Sequence, residues 1–295
     1  MSKTIYAANH VCAVIVTYNG EATIKETIDA LRHQVGHLLI VDNNSNDHTK
    51  DILRNIKKDN LSVIFNDENR GIGFALNQGV DFARGNGYGW LITMDQDSVA
   101  DAGMIRELLN GAEIYTDDSR VVSFSPRITQ KKMILTKNVP DFEKRYTVIT
   151  SGNLVRLSVF DHVGKFNDAL FIDSVDFDFC LRLRSKGYKI VRNNRAVLYH
   201  SLGHVENVYL LGWYFVITAH SPLRKYYMLR NHIYITNKYF TKFPLFCLRK
   251  QVGMLRIILQ TLLLERHKKD NLLYLLKGIS HGFINKRGPL QLHGQ

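Results

Sequence analysis

The sequence predicts an α/β fold, in which a mostly parallel sheet is flanked by helices and followed by a helical C-terminal extension. The apolar run at residues 11–16 is typical of a central parallel strand that is covered on both faces. After a turn, Ile24, Ile28 and Leu31 recur at helical spacing. Because this alternation of strand and helix repeats along the chain, it favours a parallel sheet with right-handed crossovers.

The same alternation locates the next elements. Strands are predicted at residues 11–17, 38–42, 61–65, 89–94 and 121–125. Helices are predicted at residues 22–34, around Ile52, and at residues 74–83 and 104–115. Residues 127–146 are polar and rich in lysine, so we interpret them as a loop or an irregular hairpin.

The pattern changes in the second half of the chain. A helix is predicted at residues 175–186, and it ends at Gly187, a residue type that often terminates helices. Two strand-like segments follow at residues 188–191 and 196–199. From Leu223 onward the chain is predicted to be helical, with breaks near Pro244 and at residues 268–270.

Length and composition restrict the possible classes of protein. A chain of 295 residues can form one large α/β domain with an appendage, or two domains. The three cysteines, Cys12, Cys180 and Cys247, are widely separated, which argues against a disulfide framework or a zinc site and favours a reducing cytoplasm. The N-terminus lacks the apolar core of a signal peptide, and no apolar stretch approaches the ~20 residues that cross a bilayer.

The net charge of +12 is concentrated in the last quarter of the chain. Residues 1–220 hold 25 basic and 25 acidic side chains, whereas residues 221–295 hold 14 basic and 2 acidic ones. Within this quarter, residues 243–264 are rich in Leu but are interrupted by Arg249, Lys250 and Arg256. This composition suits a helix in a membrane interface, where anionic lipids add ~1 kcal/mol for each nearby basic side chain.

Two other interpretations of the basic region remain open. Its Leu face would also suit a helical cap or the interface of a homo-oligomer. Nucleic acid is the least compatible partner, because no basic stretch is interleaved with a recognisable nucleic-acid module. We therefore expect a membrane or protein contact and no nucleic acid.

The most informative motif is Asp95-Gln96-Asp97, which directly follows the apolar segment at residues 89–94. A buried strand that ends in two carboxylates directs negative charge into the cleft beyond the sheet, where α/β proteins usually bind ligands. A divalent cation at such a place can hold a diphosphate. The motif therefore suggests an enzyme acting on nucleoside diphosphates, although an Asp after a strand is commonly a turn or cap residue.

Five ordered motifs give the chain a specific resemblance. They are Val14-Ile-Val-Thr-Tyr-Asn19, Val41-Asp-Asn-Asn-Ser-Asn-Asp47, Asn69-Arg-Gly-Ile-Gly73, Asp95-Gln-Asp97 and Asp173-Ser-Val-Asp-Phe-Asp-Phe-Cys-Leu-Arg182. Over residues 11–240 their order and spacing resemble the family 2 inverting glycosyltransferases of the nucleotide-diphospho-sugar (GT-A) fold. With these, Tyr199-His-Ser-Leu-Gly203 and Arg224-Lys-Tyr-Tyr-Met-Leu-Arg-Asn231 are most similar to the bacterial rhamnosyltransferase branch.

The resemblance implies a GT-A, Rossmann-like catalytic domain at residues 1–220 and a C-terminal region for membrane or acceptor contact at residues 221–295. It implies transfer of L-rhamnose from dTDP-L-rhamnose to a lipid-linked saccharide, in the synthesis of a surface polysaccharide such as O-antigen. The alternative donor is a galactofuranosyl or another hexosyl nucleotide. The enzyme would be cytoplasmic and peripheral on the inner face of the plasma membrane.

The resemblance also implies a set of donor contacts. Asp42 would contact the nucleotide base, with a helix cap as its alternative role. Gly152, in Ser151-Gly-Asn153, would let the backbone approach the sugar closely. The other implied contacts, several of which an ordinary turn would explain almost as well, are Thr17, Asn19, Asn44, Arg70, Gly71 and Asp95.

Mg²⁺ or Mn²⁺ is the implied cofactor, because hard cations take carboxylate and phosphate oxygens. Asp97 would bind the metal directly, and Asp95 would face the ribose or the metal. His200 matches a histidine that lies near the metal or the diphosphate in relatives. A lone histidine at a strand end is often structural, so both roles stay open for His200.

The implied general base is Asp176, the first acid of an Asp-x-Asp at a helix start. A carboxylate that accepts the proton of the acceptor hydroxyl as the new bond forms avoids a free alkoxide. Successive helical residues lie ~100° apart, so Asp176 and Asp178 cannot both serve the same proton. We choose Asp176 over Asp178 and Asp173, and expect one of the three only to stabilise the helix start.

Two rival classes fit less well. A sugar-phosphate nucleotidyltransferase should have a Gly-rich basic loop after the first strand, where this chain has Thr17-Tyr-Asn-Gly-Glu21. A non-catalytic scaffold of the same fold would have no need of Asp95, Asp97 and Asp176, although fold similarity alone does not prove chemistry. The aromatic–Arg pair of processive synthases is not evident near residues 213–230, which argues against a processive polymer synthase.

Overall fold

The structure is a computed structural model that describes residues 6–56, 59–130, 139–200, 205–210, 213–218, 220–265 and 268–291. By internal packing the chain divides into two compact units. The first is Met1–Asp168 with Phe179–Ser201, and the second is Ala169–Asp178 with Leu202–Gln295. The predicted domain boundary at residue 220 stays a prediction.

The first unit is built on one sheet. Its strands are β1 (Val11–Thr17), β2 (His37–Asp42), β3 (Leu61–Phe65), β4 (Trp90–Asp95), β5 (Ser98–Ala100), β6 (Val121–Thr129), β7 (Phe142–Arg145), β8 (Asn153–Arg156) and β9 (Lys189–His200). They lie in the order β3-β2-β1-β4-β8-β6-β9-β5, and β7 pairs with β9. β1 pairs in parallel with both β2 and β4, as the apolar runs predict.

The sheet is mixed, although its β3-β2-β1-β4 part is parallel throughout. β8 runs antiparallel to β4 and β6, and β5 and β7 run antiparallel to β9. β5 and β8 have three and four residues, and such short strands show too little alternation to be recognised in the sequence. The predicted sheet therefore lacked its antiparallel part.

Helices flank this sheet. They are α1 (Ile24–Leu31), α2 (Thr49–Asn55), α3 (Ile72–Gly85), α4 (Met104–Ile114), α5 (Phe160–Val163) and α6 (Val175–Ser185). The apolar faces of α1 and α4 are fully buried at Ile28, Leu31 and Leu108, and they belong to one core with Ile15 and Phe124 of the sheet. The helical spacing of apolar residues therefore marks the faces that pack on the sheet.

Two sequence predictions need correction. Within the predicted loop at residues 127–146, β6 continues to Thr129 and β7 begins at Phe142, while residues 131–138 lie outside the described part of the chain. β9 is one strand where two were predicted. Its central polar residues are satisfied by tertiary hydrogen bonds, since Asn193 Nδ2 donates to Glu107 O (2.6 Å) and Asn194 Nδ2 to Pro140 O (2.7 Å).

The second unit contains a hairpin and three long helices. The hairpin strands β10 (Val205–Leu210) and β11 (Trp213–Thr218) are antiparallel, and the helices are α7 (Pro222–Tyr239), α8 (Pro244–Leu264) and α9 (Lys268–Phe283). Ser221 caps α7 by accepting a hydrogen bond from Arg224 N (3.2 Å). The predicted breaks near Pro244 and residues 268–270 are the starts of α8 and α9. Within the described residues, no helix has both the length and the apolar character of a bilayer-spanning segment.

The turn before β8 depends on a glycine. Gly152 has φ +78°, and a Cβ there would lie 2.7 Å from Pro126 Cγ. The position therefore combines left-handed backbone with close packing. Gly187 has φ +82° but nothing within 4 Å of the corresponding Cβ.

We expect Gly152→Ala to lower the free energy of unfolding by roughly 2–4 kcal/mol, because it adds overpacking to backbone strain. Gly187→Ala is the matched control and should cost only the strain, about 1–2 kcal/mol. Urea denaturation of both variants measures the difference. Equal losses for the two would contradict the role assigned to Pro126.

Candidate active site

The first group of site residues lies at the carboxyl ends of three neighbouring strands. Thr17 of β1 is paired in register with Asp42 of β2, and Val16 with Asp95 of β4. Because these strands are parallel, their ends meet at one edge of the sheet, where open α/β sheets bind ligands. Thr17 and Asp42 are fully buried, and Asp95 is partly exposed.

Asp42 organises the turn that follows β2. Its carboxylate accepts hydrogen bonds from Ser45 Oγ (2.5 Å) and Ser45 N (3.1 Å), which stabilise the turn. Asp42 is not the cap of α2, the role named as its alternative, because His48 directly precedes that helix. Asn19 joins the same turn, since its N–H donates to Ser45 Oγ (2.8 Å) and its Oδ1 accepts from Asn46 N (2.9 Å). Asn44 is held by Lys50 Nζ (2.7 Å) and has φ +67°.

Gln96 connects this turn region with the Asp95–Asp97 segment. Its Oε1 accepts from Thr17 Oγ1 (2.8 Å) and from Tyr18 N (2.7 Å). The middle residue of the Asp-x-Asp motif thus fixes the loop after β1 next to the two carboxylates. No role was predicted for Gln96, because an amide between two acids carries no signal of its own.

A network of amide side chains connects Asn43 with the Arg70–Gly71 loop. Asn43 Nδ2 and Gly71 N both donate to Asn69 Oδ1 (3.0 Å each), and Arg70 N approaches Asn43 Oδ1 (3.3 Å). The Arg70 guanidinium lies 3.7 Å from the centre of the Phe74 ring and is half exposed. The residues predicted to border the nucleotide therefore belong to one hydrogen-bonded surface of the first unit.

Asp95, Asp97 and His200 form a possible cation site. One ligand atom from each lies within 4.8 Å of the others, a spacing that one cation with ligands at ~2.0–2.6 Å can span. His200 reaches this place through β5, because Ser98 of β5 is paired in register with His200 of β9. The two carboxylates suit Mn²⁺ or Mg²⁺.

Two buried hydroxyl groups support this cluster. Asp95 N donates to Ser151 Oγ (3.1 Å), and Ser151 Oγ donates to Ser98 Oγ (2.7 Å). Ser98 Oγ lies 2.7 Å from His200 Nδ1, so it orients the imidazole ring. When Nδ1 carries the proton, the other ring nitrogen keeps a lone pair for a cation. Ser98 could not be recognised from the sequence, since its partner His200 lies 102 residues away in the chain.

Gly152 follows Ser151 directly, and its N–H donates to Thr93 O (2.7 Å). The left-handed backbone and the contact with Pro126 account for a glycine there. Its predicted contact with the sugar stays a prediction.

The predicted base and its alternatives belong to the second unit. Asp178 is completely buried, and its Oδ1 accepts from Lys238 Nζ (2.8 Å) and Tyr239 Oη (2.9 Å). This arrangement suits a structural ion pair. Asp176, in the first turn of α6, is partly exposed, and its Oδ1 accepts from Phe177 N (2.8 Å).

Lys250 of α8 lies near Asp176 and was not anticipated from the sequence. Its ammonium group stands 3.4 Å from the centre of the Phe177 ring. Burial lowers the pKa of Lys250, and the negative charge of Asp176 partly offsets that effect. A basic residue in the Leu-rich helix therefore contributes to the surroundings of Asp176.

Asp173 has another environment. Its Oδ1 accepts from Arg224 Nη2 (3.3 Å), while its buried Oδ2 has no hydrogen-bond partner among the described residues. Burial raises the pKa of Asp173, against the opposing effect of Arg224. Asp173 and the next residue, Ser174, both have left-handed backbone, with φ +61° and +64°.

Comparison with known proteins places the chain in a family. The model of glycosyl transferase family 2 matches residues 12–161. The dTDP-rhamnosyl transferase RfbF of Shigella flexneri is 28% identical over 286 residues, which cover 92% of this chain and 93% of that protein. The poly-beta-1,6-N-acetyl-D-glucosamine synthase of Staphylococcus aureus (strain COL) is 31% identical over 131 residues, 42% of this chain but only 30% of the synthase.

Solved structures show the same fold. S. aureus TarS (residues 1–349) in complex with UDP-GlcNAc has a TM-score of 0.59 and 17% identity, and the alignment covers 94% of this chain and 81% of that one. GalNAc-T7 with UDP, GalNAc and Mn²⁺ has a TM-score of 0.54 and 16% identity, covering 69% of this chain and 44% of that one. The predicted GT-A fold is thereby confirmed. The chain belongs to glycosyl transferase family 2 and is a glycosyltransferase.

Proposed function

We propose that this glycosyltransferase moves L-rhamnose from dTDP-L-rhamnose to a saccharide acceptor, with inversion at the anomeric carbon, in the synthesis of a surface polysaccharide of the O-antigen type. The observation that carries the donor assignment is the likeness to a dTDP-rhamnosyl transferase over nearly the full length of both chains. The N-acetylglucosamine polymer synthase, by contrast, matches less than half of this chain.

The nucleotide binds at the carboxyl ends of β1, β2 and β4. Asp42 recognises the base, Thr17, Asn19 and Asn44 lie beside the nucleotide, and Arg70 with Gly71 borders the ribose and the diphosphate. Supporting this, hydrogen bonds through Ser45, Asn43 and Asn69 hold these loops together, so that a ligand meets a preorganised surface. Gly152 completes the donor contacts on the sugar side.

Asp95, Asp97 and His200 would hold Mg²⁺ or Mn²⁺. The fit rests on the spacing of their ligand atoms and on the Ser98 hydroxyl that orients the His200 ring. Bound there, the cation supplies positive charge that offsets the charge developing on the departing diphosphate, worth several kcal/mol at the transition state.

Asp176 is the general base. Its carboxylate takes the proton of the acceptor hydroxyl while the oxygen bonds to the anomeric carbon, and the electron pair of the breaking bond leaves with the diphosphate. Attack opposite the nucleotide inverts the anomeric centre in one displacement. The engagement of Asp178 with Lys238 and Tyr239 favours Asp176 as the residue that performs this step.

The acceptor is lipid-linked, and α8 brings the enzyme to the inner face of the cytoplasmic membrane. An exposed apolar stripe runs along α8 at i, i+3 and i+4 spacing, made of Leu245, Leu248, Val252, Leu255, Leu259, Leu262 and Leu263. Arg249 and Arg256 are exposed beside it. An apolar stripe flanked by basic side chains complements an anionic lipid surface in both polarity and charge.

Donor preference is the direct test of the proposed function. Purified enzyme is incubated with dTDP-, UDP- and GDP-sugars and a saccharide acceptor, with and without EDTA, and nucleotide release is followed. We expect turnover with dTDP-L-rhamnose, at least tenfold above UDP-galactofuranose and UDP-GlcNAc, and loss of turnover with EDTA that Mn²⁺ restores. Preference for a UDP-sugar would overturn the rhamnosyl assignment. Turnover that persists in EDTA would overturn the proposal that the enzyme needs a metal.

Removing the proposed base tests the mechanism. Asp176→Asn should lower kcat by ~10²–10⁴-fold, the usual contribution of general base catalysis, while calorimetry shows unchanged dTDP-L-rhamnose binding. Asp270→Asn is the matched control, because Asp270 is an exposed acid in the first turn of another helix of the second unit, and its kcat should stay within twofold. Near-normal turnover of Asp176→Asn would refute the assignment.

Membrane binding is tested by sedimentation with vesicles. Val252→Ser should weaken binding to vesicles containing phosphatidylglycerol by roughly tenfold, because burial of a Val side chain contributes ~1.5–3 kcal/mol. Val252 is 71% exposed, and Ile114 of the first unit, 64% exposed, provides the control variant Ile114→Ser. Absence of vesicle binding, with a dimer that Val252→Ser dissociates, would make the stripe a subunit interface instead.

A further inference from the structure

The segment that leads into α6 has a strained backbone. Phe171, Asp173 and Ser174 have φ values of +67°, +61° and +64°. For residues with a Cβ this region costs roughly 1–2 kcal/mol each, because the side chain crowds the carbonyl oxygen. Such strain persists only where the surrounding structure over-determines the conformation, and it is concentrated at functional sites.

Asn231 of α7 supplies the contacts that hold this segment. Its Nδ2 donates to the carbonyl oxygens of Leu170 (2.9 Å), Ile172 (2.7 Å) and Asp173 (2.9 Å). The side chain is 1% exposed, so water does not compete for these bonds. One amide group with two N–H bonds thus serves three carbonyls of a single strained turn.

Arg230 fixes the orientation of that amide. Its Nε donates to Asn231 Oδ1 (2.9 Å), which leaves the nitrogen of the amide directed at the turn. Its Nη2 donates to Leu170 O (2.8 Å), and its Nη1 to Gly288 O (2.5 Å). If the amide of Asn231 were flipped, its nitrogen would face the Arg230 Nε–H, donor against donor, and its oxygen would face the carbonyl oxygens of the turn.

α7 also holds the chain on the other side of Asp176. Asp178 is bound by Lys238 and Tyr239 of the same helix. Asp176 therefore lies between two points that α7 fixes, with Asp173 three residues before it and Asp178 two residues after it. The contacts that hold the strained turn in place therefore also set the direction of the Asp176 carboxylate.

We propose that Asn231, oriented by Arg230, is a positioning residue for the transfer reaction, which keeps the strained 170–174 turn in place and thereby aims Asp176. This rests on the proposed function of Asp176 as the base. A base displaced by ~1 Å loses on the order of 10²-fold in rate. The alternative is a polar network that contributes stability and nothing to the reaction.

The test combines hydrogen exchange with kinetics on the full chain. Asn231→Ala should increase amide exchange in peptides covering residues 170–176, leave residues 11–17 unchanged, and lower kcat by ~10²-fold with the KM for dTDP-L-rhamnose within threefold. Asn231→Asp should behave alike, because a carboxylate cannot donate to the three carbonyls. Arg230→Lys, a milder change that loses the Nε contact, should shift both readouts in the same direction by a smaller factor.

Asn271→Ala is the matched control. Asn271 is also a buried asparagine of the second unit, and it bonds Lys225 (3.0 Å) and Glu265 (3.3 Å) rather than the turn. We expect it to lower the melting temperature while kcat stays within twofold. If the two variants are equally stable and Asn231→Ala loses more kcat than Asn271→Ala, the additional loss is due to the positioning of Asp176.

Two results would overturn the inference. Unchanged exchange at residues 170–176 in Asn231→Ala would show that the amide does not hold the turn. Increased exchange with wild-type kcat would show that the turn does not aim the base. Exchange needs no substrate, and the Asp176→Asn assay needs no change at Asn231, so failure of the positioning role and failure of the proposed base are distinguishable.

Discussion

Parallel pairing of β1 with β2 and β4 determines where the polar groups of the first unit lie. The three strands are apolar and buried along their length, and each ends in a polar residue or acid at the same edge of the sheet: Thr17, Asp42 and Asp95. Antiparallel pairing of β5 with β9 then brings His200 to the same edge. The cluster of Asp95, Asp97 and His200 is a consequence of strand register, and a shift of one residue would turn its side chains to the opposite face.

The two units differ in how far their charged groups are exposed to solvent. In the first unit the acids of the Asp-x-Asp motif are partly exposed, and the hydroxyl of Ser151 accepts a hydrogen bond from the backbone N–H of Asp95. In the second unit three polar side chains of α7 are almost completely buried: Lys225, Arg230 and Asn231. Buried charges are costly unless they are paired. Lys225 pairs with Glu265, and Arg230 donates to Asn231 Oδ1 and to the carbonyl oxygens of Leu170 and Gly288. Together with the bonds of Lys238 and Tyr239 to Asp178, those of Arg230 and Asn231 attach residues 170–178 to α7.

Local pattern was sufficient to predict the strands and helices that carry the nucleotide-side residues. The runs at β1, β2 and β4 are long and apolar, and the helices between them have regular spacing, so each could be recognised without knowledge of the partner strand. β5 and β8 are too short for a pattern, and β9 was divided in two because Asn193 and Asn194 interrupt its apolar residues. Their partners, Glu107 O and Pro140 O, lie in other elements and leave no trace in the local sequence.

Site residues divide in the same way. Asp95, Asp97, Asp176 and His200 were predicted from motifs, whereas Ser98, Ser151, Lys250 and Asn231 act through partners 53 or more residues away or through contacts between helices. The positive φ values at Phe171, Asp173 and Ser174 could not be predicted either, because none of these residues is a glycine, the residue type that usually indicates a left-handed turn.

The proposed binding of the donor diphosphate depends on a divalent cation at Asp95, Asp97 and His200. Crystals grown with MnCl₂ and dTDP, measured at the manganese absorption edge, test this most directly. We expect one anomalous peak within ~2.0–2.6 Å of carboxylate oxygens of the Asp95–Asp97 pair, in contact with the diphosphate and next to His200. A bound diphosphate with no peak there, or with manganese held by other side chains, would contradict it.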